Sequence, residues 1–429
     1  MKHPVLVLLF LLPALLAGQE SLKVNAERLN QTLGQLAEFG RDAQGRPNRV
    51  AFSDGDLEAR AYVVGLMEEA GLQTSIDAAG NIIGRRPGRN PDLKPIAFGS
   101  HIDMVPLGGN YDGCVGSMSA IEVARTLEES GTRTRHPLEV IIFTDEEGGL
   151  TGSSALAGVL RPSALGVVNS TGYSIGEGIQ RLGGDTTRLK EVIRPEGSLA
   201  AFLELHIEQG GLLERKGLDI GVVEGIVGLR WWDVTISGMA NHAGTTPMRM
   251  RQDALLAASR FIQAVNEEAL AMEGGQVATV GRIDAYPGAP NVIPGKVLLS
   301  LEIRDLSDAV IDTLFDRIQG RADSIAESSG TQFAFTRPYS GKPALTAPWI
   351  QEEIRRAATD LGLSHQQMPS GAGHDAQDMA LICPVGMIFI PSRGGISHSP
   401  EEYSSPEDIA NGANVLLKSL LQLDATLAE

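Results

Sequence analysis

Apolar residues recur along the chain in two rhythms, and the change from one to the other divides it. Over residues 22–39, Leu29, Leu33, Leu36 and Phe39 fall on one stripe and predict an amphipathic helix. Residues 56–70 predict a second helix, stopped at Gly71. Residues 72–84 read as a hairpin turning at Gly80-Asn81. Short apolar runs then alternate with helical stretches: strand 95–98, helix 116–130, strand 138–143, strand 201–205. Unbroken apolar runs of this length suit strands buried on both faces. Their alternation with helices predicts an α/β domain, a mostly parallel sheet with helices on both faces.

Near Gly217 the rhythm changes. Runs at 222–228, 231–237, 277–286 and 296–304 read as antiparallel strands, with helices at 251–272 and 308–328 between and after them. Four strands and two helices make a compact α+β insert. From about Phe335 the first rhythm resumes, with helix 348–361, strand 385–390 and helix 406–421. The expected organisation is a first catalytic part (19–216), a lid or dimerisation insert (217–330) and a second catalytic part (331–429). Residues 1–18 stand apart. Met1-Lys2-His3 precedes an apolar run from Val5 to Leu16, too short to span a bilayer and fitting a cleaved signal peptide. Gln19 stands where a lipoprotein would need Cys. An exported enzyme, periplasmic or secreted, without a membrane anchor after cleavage is expected.

Composition narrows the function. The length of 429 residues favours two domains, and the formal net charge of −17 argues against binding nucleic acid, whose phosphates it would repel. With only Cys114 and Cys383, the chain is no disulfide scaffold; both read as small buried residues, with a bridge between them or thiolate ligation by Cys114 left open.

The chemistry sits where four apolar strands stop. After 95–98 come His101 and Asp103, and a glycine-rich loop brings Asp112 back toward them. A His, a partner Asp and a second Asp on a tight loop are the makings of a metal site. Strand 138–143 ends in Thr144-Asp145-Glu146-Glu147-Gly148, strand 201–205 in His206-Ile207-Glu208-Gln209, and strand 385–390 leads to Ser397-His398-Ser399. Open α/β sheets place their chemistry at such C-terminal strand ends. Glu146, beside Glu147 yet pointing elsewhere, is the expected general base, while Asp145 reads as a supporting residue. His374 is expected to shape the pocket; His136 and His365 read as surface residues.

The motifs GSHIDMVPLGGNYDG, TDEEG, ELHIEQG, GMANHAGTTPM, NVIPG, LEIRD, SGAGHDA and GGISHSPEE resemble those of di-metal amidohydrolases. That family includes N-carbamoyl-L-amino acid hydrolases, allantoate amidohydrolases and β-ureidopropionases, relatives of the aminoacylases and zinc carboxypeptidases. The similarity runs from about Leu22 to the C-terminus. It implies that His101 and His206 hold one divalent ion, that Glu147 and His398 hold another, and that Asp112 bridges them. Zinc suits these donors; manganese, cobalt or nickel would also fit. Asp103 would orient His101 through its second ring N–H. A hydroxide between the ions, with Glu146 as base, would cleave a C–N bond of an N-carbamoyl or ureido amino acid. Arg304 would grip the substrate carboxylate, the alternative being an ion pair with Glu302 or Asp305. Gln209, Asn291, Gly373 and His374 would line the substrate's polar groups. His242 would reach the neighbouring subunit's site across a homodimer formed by the insert, the alternative being a cap on its own turn. The loop at 148–153 lacks the Arg-Phe pair of many such enzymes. The rival readings are an exported di-zinc aminopeptidase or N-acyl amino acid hydrolase and, from another class, a binding protein on the same fold.

Overall fold

The computed structural model describes residues 22–427, so the expected signal segment lies outside the described residues. A nine-stranded sheet forms the larger body. Along it run Gln73–Ile76, Ile82–Arg86, Leu138–Phe143, Ile96–His101, Ala201–Ile207, Val385–Ile390, Ile220–Ile226 and Ala344–Leu345, with His365–Ser370 also paired to Ile220–Ile226. Leu138–Phe143, Ile96–His101, Ala201–Ile207 and Val385–Ile390 are neighbours and mutually parallel. Every residue of these four is buried. The two-residue period of a strand then feeds two cores. Ile96, Phe98, Val140 and Ile142 pack with helices Ala26–Leu36, Asp54–Glu69, Cys114–Glu129, Pro348–Asp360 and Pro406–Thr426. Ala97, Ile141 and Phe143 join the opposite core, against Leu156, Leu213 and Met379 of the short helices Thr151–Leu156, Leu212–Lys216 and Asp375–Met379.

The insert is a four-stranded antiparallel sheet in the order Gln332–Gly341, Gly228–Ser237, Lys296–Asp305, Val277–Tyr286. One face is apolar: Trp232, Val234, Ile236, Val297, Leu299, Leu301 and Ile303 pack under helices Ala254–Ala271 and Asp308–Ser329.

Sheet membership corrects one expectation. The apolar run placed at 222–228 belongs to the large sheet, as Ile220–Ile226, and the fourth insert strand is Gln332–Gly341. The insert sheet therefore begins at Gly228 and closes at Gly341. The physical reason is burial. Six of the seven residues of Ile220–Ile226 are buried, so the strand is covered on both faces and does not fit a sheet with one face in solvent. Alternating Phe333 and Phe335 mark the true fourth strand.

One of the two histidines expected at the surface is instead buried, while His365 is not. His136 is buried, its Nδ1 2.8 Å from the Lys94 carbonyl oxygen, because the main chain of Arg135 and His136 is pinned against the C-terminal helix by Asp424. His365 begins the strand His365–Ser370 and lies 3.0 Å from Thr359 Oγ1. Both cysteines are buried and free. Among the described residues no helix is long and apolar enough to cross a membrane.

Candidate metal centre

Parallel strands bring their C-terminal ends to one edge of the sheet. His101 and His206 are strand residues there, and Glu146, Glu147 and His398 lie on the loops that follow the two neighbouring strands. Asp112 arrives on the loop after Ile96–His101. That loop needs Gly113: with φ 63°, it passes so close that a Cβ would stand 2.3 Å from the His101 ring.

Two ligand groups share Asp112. His101, Asp112 and His206 form one; Asp112, Glu147 and His398 form the other. His206 Nε2 is 3.1 Å and His101 Nε2 3.6 Å from Asp112 Oδ1. His398 Nε2 is 3.4 Å from Asp112 Oδ2 and 3.5 Å from Glu147 Oε2.

The tautomers test whether cations fit. His101 Nδ1 lies 3.0 Å from the Asp103 carbonyl oxygen, and His206 Nδ1 2.9 Å from that of Ile207. Carbonyls only accept, so in the neutral rings Nδ1 carries the hydrogen and Nε2 a lone pair on the Asp112 side, that of His206 also accepting from the Gly113 N–H at 3.2 Å. Lone pairs facing a carboxylate call for a positive ion between them. His101 Nε2 and Glu147 Oε1 are buried with no hydrogen-bond partner, as ligand atoms awaiting an ion would be. The residues fit two divalent ions that share Asp112.

Electrostatics follow the same crowding. Burial pushes the Glu146 carboxyl well above its usual range, helped by Asp375, Glu147 and Asp112 and opposed by His101. Glu147 is pushed up to about 7 by burial and by Asp112. Burial alone would raise Asp112, but His206, His101 and His398 hold its carboxyl well below the ordinary range. Asp145, Leu150, Gln209 and His398 all adopt left-handed φ values of 53–59°. Such backbone costs of order 1 kcal/mol or more per residue and persists where surrounding contacts enforce it.

The supporting residues are arranged partly otherwise than expected. It is the main-chain oxygen of Asp103, not its carboxylate, that accepts from His101. The carboxylate lies 3.7 Å from His101 Nδ1 and instead accepts the N–H groups of Glu146 at 3.3 Å and Glu147 at 3.2 Å. Asp103 thus aims the acidic loop. Asp145 accepts from Thr151 Oγ1 at 2.6 Å, closing that loop from behind. Gln209 donates to Asp112 Oδ2 at 2.6 Å. His374 is buried edge-on against His206, ring centroids 4.4 Å apart, with Nε2 2.8 Å from Ser370 Oγ.

A cavity of about 200 Å³ opens on the cluster, lined by Asp112, Glu146, Glu147, Gln209, Gly373 and His398 among others. The insert residues stand apart from it. Arg304 pairs with Glu302 at 2.7 and 3.2 Å, the alternative weighed above, and donates to the Gly371 carbonyl at 2.6 Å, next to the lining residues Ala372 and Gly373. Asn291 and His242 are neighbours on the insert, where Ala243 N–H donates to the Asn291 carbonyl at 3.0 Å. His242 is exposed and caps its own turn: Nδ1 accepts from Gly244 N–H at 3.0 Å and Thr245 N–H at 3.2 Å. Ser397 and the buried Glu402 were missed beside the candidate site, although both lie inside the quoted GGISHSPEE motif; two polar residues near His398 were the available signal.

A family model described as peptidase family M20/M25/M40 matches residues 97–422. The chain belongs to this family. Among curated M20 relatives, an N-carbamoyl-L-amino acid amidohydrolase of Geobacillus stearothermophilus is 43% identical, the match covering 93% of this chain and 99% of the relative. A ureidoglycolate hydrolase of Arabidopsis thaliana is 41% identical, covering 94% of this chain and 87% of that one. A solved hydantoinase/carbamoylase family amidase from Burkholderia multivorans superposes with a TM-score of 0.89 at 38% identity, covering 95% of this chain and all of its own. These similarities extend over both the large sheet and the insert.

Proposed function

We propose that this M20 protein hydrolyses a non-peptide C–N bond of an N-carbamoyl or ureido amino acid, giving an amino acid, ammonia and carbon dioxide. The observation that carries this reading is Glu146, buried beside two ligand groups that share Asp112, in a chain 43% identical to an N-carbamoyl-L-amino acid amidohydrolase. His101 and His206 would hold one ion and Glu147 and His398 the other; zinc is the expected metal, and the same donors accept manganese, cobalt or nickel. Such ions, when bound, polarise a carbonyl and acidify a water.

The chain supplies the rest. Glu146 takes a proton from the attacking water and delivers it to the leaving nitrogen. Asp103 fixes Glu146 and Glu147 through their N–H groups. Arg304 exchanges Glu302 for the substrate carboxylate, its Gly371 contact already holding it beside the cavity wall. The deciding measurement is ammonia release from a panel of N-carbamoyl amino acids, allantoate and ureidopropionate, against cleavage of dipeptides and N-acyl amino acids. Turnover of the last two classes alone would overturn this reading in favour of an aminopeptidase or acylase. No turnover by metal-loaded protein that still binds these ligands would favour a binding protein.

We further propose export through the 1–18 segment and a homodimer through the insert in which each site borrows His242. With Nδ1 accepting from the turn, the neutral ring carries its hydrogen on Nε2 and can donate to a developing oxyanion. Mixing His242→Ala with Glu146→Gln protein tests this. Each homodimer should be nearly inactive. After subunit exchange at equal amounts, a two-fold dimer should regain about a quarter of normal activity, because one site per heterodimer has Glu146 and a partner's His242. No recovery after confirmed exchange would rule out borrowing.

A further inference from the structure

Glu402 is a buried carboxylate without a place in the hydrolysis, on the same loop as His398 and far in sequence from the Asp112 loop it meets. Its Oε1 accepts two main-chain N–H groups of the Asp112 loop, Tyr111 at 2.9 Å and Asp112 at 3.0 Å. Its Oε2 accepts from Ser397 Oγ at 2.8 Å, immediately before the ligand His398. Ser397 Oγ also lies 3.0 Å from Asp112 Oδ2. One side chain therefore grips both loops, and Ser397 links it to the shared ligand.

The packing is built around this grip. Gly109 leaves the space that Glu402 fills: a Cβ there would stand 2.0 Å from Glu402 Oε1 and 2.2 Å from Cδ, and the three nearest atoms all belong to Glu402. Next along, the Tyr403 ring meets Tyr111 edge-on at 5.5 Å, and the Arg393 guanidinium covers Tyr403 at 4.1 Å. His398 needs such support, because its φ is 53° and its side chain is 49% exposed. Its ring nitrogen faces the acidic cluster it serves, 3.4 Å from Asp112 Oδ2 and 3.5 Å from Glu147 Oε2.

We propose that Glu402 is a positioning residue: it ties the Asp112 loop to the His398 loop and presets the pocket for the ion held by Asp112, Glu147 and His398. The proposal rests on reading those residues as ligands of two ions. It goes further in assigning the affinity of one ion to a residue that ligates neither.

Zinc alone, titrated into the chelator-stripped full chain against a chromophoric competitor, reads both affinities, and the thermal midpoint of each metal-free variant is measured beside them. Wild type should bind two ions; fewer would overturn the metal-centre reading itself. Glu402→Ala should bind one ion about 10–100-fold more weakly, the cost of losing an outer support, and the other nearly as before. Glu402→Gln should restore binding, since its amide accepts the same two N–H groups and donates to Ser397. Gly109→Ala should reproduce the Glu402→Ala loss by displacing the side chain. Acting through one contact, the double variant should bind no more weakly than the weaker single. Wild-type affinity for both ions in Glu402→Ala, with or without a lower midpoint, would overturn the proposal, as would additive losses in the double variant. Should Glu402→Ala fail to fold, Ser397→Ala removes only the hydroxyl and must weaken the same ion; unchanged affinity there overturns the proposal too.

Discussion

Asp112→Ala is expected to empty the centre of both ions. Asp112 is the one residue common to the two ligand groups, with Oδ1 turned to His101 and His206 and Oδ2 to His398. Its removal leaves two histidines on one side and one histidine with one glutamate on the other. Each remainder has one ligand fewer than the three protein ligands usual in catalytic zinc sites. The loss also frees Gln209, which donates to Oδ2, and removes the carboxylate 3.0 Å from Ser397 Oγ, so the pocket loses its organiser as well as a ligand. His398→Ala should behave differently, weakening one ion and sparing the other, because His398 contacts only the Glu147 side of the cluster. Metal content by mass spectrometry after dialysis separates the two patterns. Two ions retained by the Asp112 variant would refute the shared-ligand assignment.

How much of this was legible in the chain depends on how local each signal is. The candidate ligands other than Asp112 were legible because each lies at or beyond the end of an apolar run, and an unbroken apolar run almost has to be a central parallel strand. His101 needed only the six-residue strand it closes, and Glu147 a six-residue strand with a loop after it. The membership of Ile220–Ile226 was not legible from its position beside the insert. Only its lack of polar alternation, a property of burial on both faces, marks it as part of the large sheet. Hydrogen-bond partners were harder still. The spacing of His101 and Asp103 predicts contact, and contact occurs, but whether the carbonyl or the carboxylate accepts depends on where the strand ends. Here Ile96–His101 stops at the histidine, and the chain bends so that the Asp103 side chain turns to Glu146 and Glu147. Arg304 illustrates the same limit, since two residues away Glu302 satisfies its guanidinium where no substrate competes. Glu402 was least legible of all. Its partners at Tyr111 and Asp112 lie 291 and 290 residues away, and nothing in a local motif encodes a grip of that reach.

Glu146→Gln should separate chemistry from binding. The substitution keeps the shape of the side chain and removes its ability to hold a transferable proton. Glu146 belongs to neither ligand group; its Oε2 lies 3.7 Å from His101 Nε2, near the cluster without completing it. Metal content should therefore stay at the wild-type level. The main-chain N–H of residue 146 still donates to Asp103, so the acidic loop keeps its aim and Glu147 its place. Burial holds the Glu146 carboxyl well above its ordinary range. Removing a general acid–base group of this kind costs on the order of 10²–10⁴-fold. The fall should appear in kcat, with KM moving little, since the substrate carboxylate is assigned to Arg304 and not to Glu146. Steady-state kinetics on the metal-reconstituted variant, with ion content measured on the same sample, gives both quantities together. A near-normal kcat with both ions bound would remove Glu146 from the proton transfer, whereas a low kcat with one ion missing would instead make it a ligand.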